Sequence, residues 1–212
     1  MPIVINGTGT VTGISVGGLP DGCVDKDTLA TTTRPAFVSY ALLSDEKAAN
    51  TAAGQATPGQ YTNFLSRDLT TEVADADGII LGLNGKATSG NLKVNGTNYS
   101  VATSADEFAL GAGTYYITWK LPGRNIDNFR SRIYNVTDSS AISPESSNAY
   151  CSGNTNDNWT YGRVRFTLSG TKNLRFESKQ SNTSSSTSDY GVLHNSGSAE
   201  QYSQAEIYKE AS

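Results

Sequence analysis

The sequence is poor in the residues that carry most enzyme and metal chemistry. Among its 212 residues are one histidine, His194, and two cysteines, Cys23 and Cys151, without CxxC or paired-histidine spacing. A zinc site needs more ligands than these. A Ser-His-Asp triad would have to use His194, yet the Gly-x-Ser-x-Gly elbow is absent. We therefore expect no enzyme, no metal site and no cofactor.

Charge is also scarce. Charged residues make up 17% of the chain, against about 25% in ordinary domains. The net charge is −4 and Lys and Arg nowhere cluster, so a nucleic-acid partner is not expected. No apolar run approaches the roughly 20 residues of a membrane-crossing helix, so membrane insertion is not expected either. Since no Lys or Arg precedes Lys26, we predict no secretory signal, and two free thiols rather than a disulfide.

Small uncharged polar residues take the place of charge. Ser, Thr, Asn and Gly together make 87 of the 212 residues, a composition typical of short strands joined by turns. The Gly- and Thr-rich start has too few apolar side chains to fold alone. We predict an extended anchoring segment over residues 1–34 and a head domain over residues 35–212. The candidate anchor residues are Ile3, Ile5, Val11, Ile14, Val16 and Leu19.

The head domain shows the alternation of half-buried strands. Within residues 115–121 every second side chain is apolar and faces a predicted core. Residues 163–168 and 174–177 alternate in the same way, and a last strand is predicted over about 202–209. This spacing predicts an all-β, antiparallel sandwich or jelly roll.

Two turns are predicted from local signals. A strand over residues 37–42 is followed by a turn or short helix over 44–50. The Asn95-Gly96 pair predicts a type I′ hairpin over residues 92–101, because both residue types accept a positive φ.

An aromatic group beside a polar loop is the best candidate for ligand contact. Tyr150, Trp159 and Tyr161 flank a loop containing Asn158. Aromatic faces beside short amides suit a sugar, which stacks through its C–H surface and hydrogen-bonds at its rim. The alternative is that Trp159 caps the core or a subunit interface.

Paired carboxylates provide the remaining candidates for chemistry. Asp75 with Asp77, or Asp106 with Glu107, would be the acid pair of a glycan-cleaving enzyme. Both pairs lie beside turn signals, and solvated turn carboxylates are the preferred interpretation. Residues 75–78 resemble the start of a calcium loop but lack its further ligands.

Three motifs of the head resemble a known module. They are residues 113–119 (GTYYITW), 130–138 (RSRIYNVTD) and 205–210 (AEIYKE). Together they resemble the C-terminal jelly-roll head of fibre proteins from marine and other tailed bacteriophages, related in architecture to tumour-necrosis-factor and complement C1q heads. Residues 4–13 (VINGTGTVTG) and 18–22 (GLPDG) are similar to the start of cyanophage-like virion proteins.

This resemblance implies a homotrimer in the virion. Residues 1–30 would bind other virion proteins, and the head would meet a host-surface glycan. The alternatives are a capsid-decorating protein without a receptor role and a glycan-binding or glycan-cleaving spike. Four outward arginines would pair across the trimer interface or remain solvated: Arg130, Arg132, Arg163 and Arg165.

Two departures from the related heads bear on this role. An insertion around residues 82–107 adds a hairpin. Only about a dozen residues separate Gly22 from Pro35, which leaves no room for a long shaft. A short fibre or knob fits this length better than a long tail fibre.

Overall fold

The computed structural model describes residues 36–56, 63–86, 92–153, 157–182 and 186–211, and this part of the chain is built of strands, turns and loops. The candidate anchor residues, Cys23 and the predicted boundary at residue 34 lie outside it and stay predictions. The described residues include no helix long and apolar enough to span a membrane.

The strands are β1 (Phe37–Lys47), β2 (Leu65–Ser66), β3 (Thr71–Ala74), β4 (Ile80–Leu83), β5 (Glu107–Leu110), β6 (Gly113–Arg124), β7 (Asp127–Asn135), β8 (Ser140–Ile142), β9 (Ala149–Cys151), β10 (Asp157–Leu168), β11 (Lys172–Gln180) and β12 (Glu200–Glu210).

The strands form two antiparallel sheets. One has five strands in the order β10-β6-β12-β1-β3; the other has seven, in the order β4-β5-β11-β7-β8, with β2 beside β11 and β9 beside β7. From β5 to β7, and again from β9 to β12, successive strands alternate between the sheets. The connections therefore cross the sandwich, and the predicted all-β jelly roll is confirmed.

The core lies between the inner faces of the two sheets. The alternating residues of β6 are buried as predicted, and Trp119 is 3% exposed. Its ring centroid lies 5.7 Å from that of Phe176 on the opposite sheet, and Phe176 stacks on Phe108 at 5.5 Å. The Trp119 indole N–H donates to Ser131 Oγ at 2.8 Å. Ser131 Oγ lies 2.8 Å from Thr160 Oγ1, so the buried polar groups are paired across the core.

A buried arginine joins loops to the sheets at one end of the sandwich. Arg67 is 1% exposed, and its guanidinium donates to the carbonyl oxygen of Pro122 at 2.8 Å and to Ser178 Oγ at 3.3 Å. The same guanidinium lies 3.9 Å from the ring centroid of Tyr190. Burial lowers the pKa of Arg67. These contacts satisfy a charge that would be costly if left alone.

A turn follows the first strand as predicted but is confined to residues 49–50, and the alternative of a short helix over residues 44–50 is wrong. Strand β1 continues to Lys47, and a turn occupies only residues 49–50. Ser44 pairs with Gln204 on one side and with Thr71 on the other. Strand neighbours on both sides override the weak local signal, because each adds backbone hydrogen bonds.

The Asn95-Gly96 turn is present, but it is not type I′. Gly96 has a φ of 81°, whereas Asn95 does not lie in the left-handed region. The Gly96 N–H donates to the Lys93 carbonyl at 3.0 Å and the Lys93 N–H to the Thr97 carbonyl at 2.8 Å. This is the pattern of a three-residue loop closed by a left-handed glycine.

The insertion is attached to the sheets through β3 and β4. Glu72 on β3 is 5% exposed and accepts a hydrogen bond from the Val94 N–H at 2.9 Å. The Lys93 ammonium donates to the Gly78 carbonyl at 3.1 Å. The Ser100 N–H donates to the carbonyl oxygen of Leu81 at 2.8 Å. The predicted hairpin is therefore part of the packed domain.

Gly162 creates the space for the Trp119 indole, which leads to a stability prediction. A Cβ at residue 162 would lie 2.0 Å from Trp119 Cε2. We expect Gly162→Ala to lower the free energy of unfolding by roughly 1–3 kcal/mol through overpacking. Gly170→Ala is the matched control, because a Cβ there meets nothing within 4 Å. Urea unfolding measures both; equal stabilities of the two variants would contradict the packing argument.

The buried Glu72 carboxyl makes stability depend on pH. Burial raises the pKa of Glu72. The protonated carboxyl therefore stabilises the folded protein at low pH, and this stabilisation is lost as the pH rises through the folded-state pKa. We expect the stability of the wild type relative to Glu72→Gln to increase from about pH 8 to about pH 4. Thermal unfolding across this range measures the difference. A constant difference would show that the carboxyl titrates as it does in the unfolded chain.

Candidate assembly and binding surface

The outer face of the five-stranded sheet carries a recess. Side chains alternate along a strand, so the residues between the core positions of β6 point away from the core. Register places the outward residues of β1, β12, β6 and β10 side by side. The side chains on this face are Tyr40, Leu42, Tyr116, Thr118, Lys120, Tyr161, Arg163, Arg165, Gln204, Glu206 and Tyr208.

Four aromatic rings gather on this face. Tyr40 pairs with Tyr208, and Tyr208 with Tyr116, so three tyrosines form one row across neighbouring strands. The ring centroids of Tyr40 and Tyr208 lie 5.1 Å apart. Phe37 is 40% exposed, and its centroid lies 5.2 Å from that of Tyr208. We call Phe37, Tyr40, Tyr116 and Tyr208 the aromatic cluster. Sequence reasoning missed it, because alternation shows which residues point outward but not which strands are neighbours.

A carboxylate lies next to the aromatic cluster. Glu206 accepts a hydrogen bond from Thr118 Oγ1 at 3.1 Å and one from the Tyr208 hydroxyl at 3.4 Å. Burial, and then the charge of Glu206, raise the pKa values of Tyr40 and Tyr208. These tyrosines therefore stay neutral hydrogen-bond donors at neutral pH.

Beside the cluster lies a groove of about 840 Å³. Its lining includes Tyr116, Tyr161, Arg163 and Glu206 from the sheet and Glu145 from the loop after β8. The volume falls within the range of small-molecule sites, about 300–1,000 Å³. Because charges of both signs line an aromatic floor, the groove suits a partner that is partly apolar and partly polar.

The groove-side loop is held to β10 by its serines. The Ser147 N–H donates to the Tyr161 carbonyl at 3.0 Å, and the Tyr161 N–H donates to Ser147 Oγ at 3.3 Å. The Ser146 N–H donates to the carbonyl oxygen of Ser131 on β7 at 2.8 Å. These bonds fix the loop and keep the Tyr161 ring outward, with 60% of the residue exposed.

The four predicted ligand-contact residues lie near one another on β9 and β10. Tyr150 is 56% exposed and Tyr161 lines the groove. The Asn158 amide is engaged, since Nδ2 donates to the Tyr150 carbonyl at 3.0 Å. Lys120 Nζ lies 5.2 Å from the Trp159 ring centroid. Asn158 belongs to β10 rather than to a loop, and its role in ligand contact stays a prediction.

The four outward arginines differ in their surroundings. Arg163 and Arg165 face outward on β10, and Arg163 lines the groove. Arg130 and Arg132 lie on the other sheet. Three of the four form ion pairs with described residues: Arg130 with Glu145, Arg132 with Glu177 and Arg165 with Glu210.

In the first carboxylate pair, Asp75 is buried and holds the backbone of its own loop. Asp75 is 1% exposed; its Oδ1 accepts from the Ile79 N–H at 2.8 Å and its Oδ2 from the Ile80 N–H at 2.9 Å. Both oxygens thus close the loop that leads into β4. Burial raises the pKa of Asp75. The structure therefore supports a turn role, but the predicted solvated state is wrong for Asp75, which is buried with both oxygens hydrogen-bonded to the backbone.

The other candidates for chemistry also lie outside the groove lining. Asp106 accepts from Ser66 Oγ at 2.9 Å, and Glu107 accepts from the Ser104 N–H at 3.0 Å. His194 is exposed. Cys151 is a buried free thiol. Within the described ranges no group of three or more His, Cys, Asp or Glu residues could hold a metal ion.

The fold and this face together define an antiparallel jelly-roll head with a partly exposed aromatic cluster on one outer sheet face. No protein-family model matches the chain, and no curated protein matches it. Among solved structures it is similar to murine APRIL, with a TM-score of 0.45 and 9% identity over 81% of this chain and 98% of that one. It is also similar to the globular domain of the zebrafish complement 1qA protein, with a TM-score of 0.42 and 11% identity over 82% of this chain and 96% of that one.

Proposed function

We propose that the chain is a non-enzymatic binding module whose head assembles as a homotrimer through the aromatic cluster. The observation that carries this proposal is the row of Tyr40, Tyr208 and Tyr116, extended by Phe37, on an outer sheet face. Soluble monomers rarely leave contiguous apolar patches open, and aromatic residues are enriched at subunit interfaces.

The charges around the cluster favour a second copy of this chain as the occupant. Glu206, Arg163 and Lys120 on the same face and Glu145 from the loop after β8 all line the groove. A surface with both signs can complement another copy of itself. Val73, 41% exposed on the edge strand β3 of the same sheet, adds apolar area.

The finer proposal is a virion appendage of a tailed bacteriophage. Sequence resemblance supports it, and residues 1–30 would attach the head to other virion proteins. The head would then be displayed outward as a short fibre or knob for host attachment. The exposed Tyr150 and Tyr161 beside Asn158 favour a glycan as the host ligand.

The assembly is tested by removing two rings of the cluster. We expect sedimentation equilibrium to give about three times 22.4 kDa for the wild type and a largely dissociated Tyr116→Ser/Tyr208→Ser variant. An interface aromatic contributes about 2 kcal/mol or more when it is a hot spot, or roughly 30-fold in affinity. Tyr150→Ser/Leu92→Ser is the matched control, because it removes two exposed apolar side chains that line neither the cluster nor the groove. A monomeric wild type, or a folded cluster variant that remains trimeric, would refute the interface.

Attachment is tested separately with the lipopolysaccharide of a susceptible host. We expect the purified chain to be retained on it, and Trp159→Ala/Tyr161→Ala to lose about tenfold or more in affinity with the loss of stacking. Leu92→Ala, at a residue 64% exposed, controls for non-specific apolar adhesion. No retention would favour a decorating protein without a receptor role, and shortened polysaccharide chains would identify a hydrolase.

A further inference from the structure

A second, smaller pocket lies where β7 and β11 run side by side in the seven-stranded sheet. Its volume is about 310 Å³, at the small end of the range for ligand sites. Lys179 pairs with Arg130 across the two strands, so two cationic side chains adjoin the pocket. Its polar lining residues are Asn128, Arg130, Asn148, Lys179, Gln180 and Ser181.

The cations around this pocket are incompletely neutralised. Arg130 is paired with Glu145 at 3.2 Å, but that pair is solvent-exposed and therefore weak. Lys179 has no ion pair within the part of the chain that the structure describes. A chain of net charge −4 thus has a local site that attracts anions.

The neighbouring residues on the same strands add to this positive field. Arg132 and Arg175 both bind the carboxylate of Glu177, with nitrogen–oxygen distances of 2.8 and 2.7 Å. Glu177 is 1% exposed, so one carboxylate lies beneath two guanidinium groups. Two cations share one anion here, and the nearby Asp106 carboxylate offsets part of the Arg175 charge.

Behind the pocket lies a buried amide: Gln180 pairs with the core residue Phe129, so its side chain points away from the face that carries Lys179. Gln180 is 2% exposed, and neither Nε2 nor Oε1 has a hydrogen-bond partner among the described residues. Its amide atoms are buried and are not part of the surface that meets a ligand. Asn128 and Asn148 are exposed, so their amides are accessible to hydroxyl groups.

We propose that this pocket binds one carboxylate-bearing sugar residue of an anionic glycan. The carboxylate meets Lys179 and Arg130 in charge-assisted hydrogen bonds. The sugar hydroxyls meet the amides of Asn128 and Asn148 and the hydroxyl of Ser181. The inference rests on the proposed binding role, but not on the proposed trimer.

The lining favours a sugar over other anions. Single-stranded nucleic acids bind through stacking on exposed aromatic rings, and the aromatic residue of this pocket, Phe129, is only 2% exposed. A protein partner would need large apolar or aromatic anchors at the centre of its contact. Amides, a hydroxyl and two cations in a small recess instead match a compact, hydroxyl-rich anion.

The test uses the full chain, with trigalacturonate as the probe and maltotriose as its neutral counterpart. Isothermal titration calorimetry measures both. We expect trigalacturonate to bind at least about tenfold more tightly than maltotriose, and to weaken several-fold between about 50 and about 500 mM NaCl as screening increases. Arg130→Gln/Lys179→Gln should lower the affinity about tenfold or more. Arg165→Gln/Lys172→Gln is the matched control, because it likewise removes one arginine and one lysine, both of which lie outside the pocket lining.

The possible results separate this inference from the proposed function. Equal affinity for the two sugars, no binding of trigalacturonate, or full affinity in the folded double variant would overturn the pocket assignment. If trigalacturonate fails to bind but the head still adheres to host lipopolysaccharide, the pocket inference fails and the binding role stands. If the sugar binds and the head does not adhere, the pocket stands and the attachment role fails.

Discussion

The alternation of side chains along β6 is the constraint on which the rest of the structure depends. This strand is paired with β10 on one side and β12 on the other. Its odd-numbered residues, from Tyr115 to Leu121, enter the core, and Tyr116, Thr118 and Lys120 form the outer face. A slip of one residue would exchange the two sets, exposing Trp119 and burying Lys120. The register of β6 therefore determines both the core and the assembly surface.

Buried polar groups fix this register more narrowly than apolar packing alone. The Trp119 indole can donate to Ser131 only if β6 faces β7 across the core as it does, and Gly162 must lie opposite the indole for the ring to fit. Apolar contacts tolerate small shifts, whereas an unmade buried hydrogen bond costs about 1–3 kcal/mol. The few polar contacts therefore contribute specificity to a core of modest size.

The two outer faces of the sandwich have different chemistry. The five-stranded sheet presents aromatic rings, which release ordered water when a second surface covers them. The seven-stranded sheet presents arginines around Glu177 and a polar pocket, which interact best with a solvated anionic ligand. The aromatic cluster thus suits permanent assembly and the polar pocket reversible binding, and a trimer would repeat that pocket three times.

Several features were predictable from sequence alone, because each depends on neighbours in the chain. The strands of residues 115–121 and 163–168, the turn at Gly96 and the all-β class follow from alternation and from glycine's tolerance of positive φ. The extension of β1 to Lys47 was not predictable, because its partners are strands from distant parts of the chain.

Only the tertiary structure determines which residues share a surface. Tyr40, Tyr116 and Tyr208 are far apart in sequence, and only the pairing of β1, β12 and β6 places them in one row. The same holds for Arg130 and Lys179, which adjoin one pocket through the register of β7 and β11. A local sequence pattern determines whether a side chain points inward or outward. The order in which the strands pair determines which side chains are its neighbours.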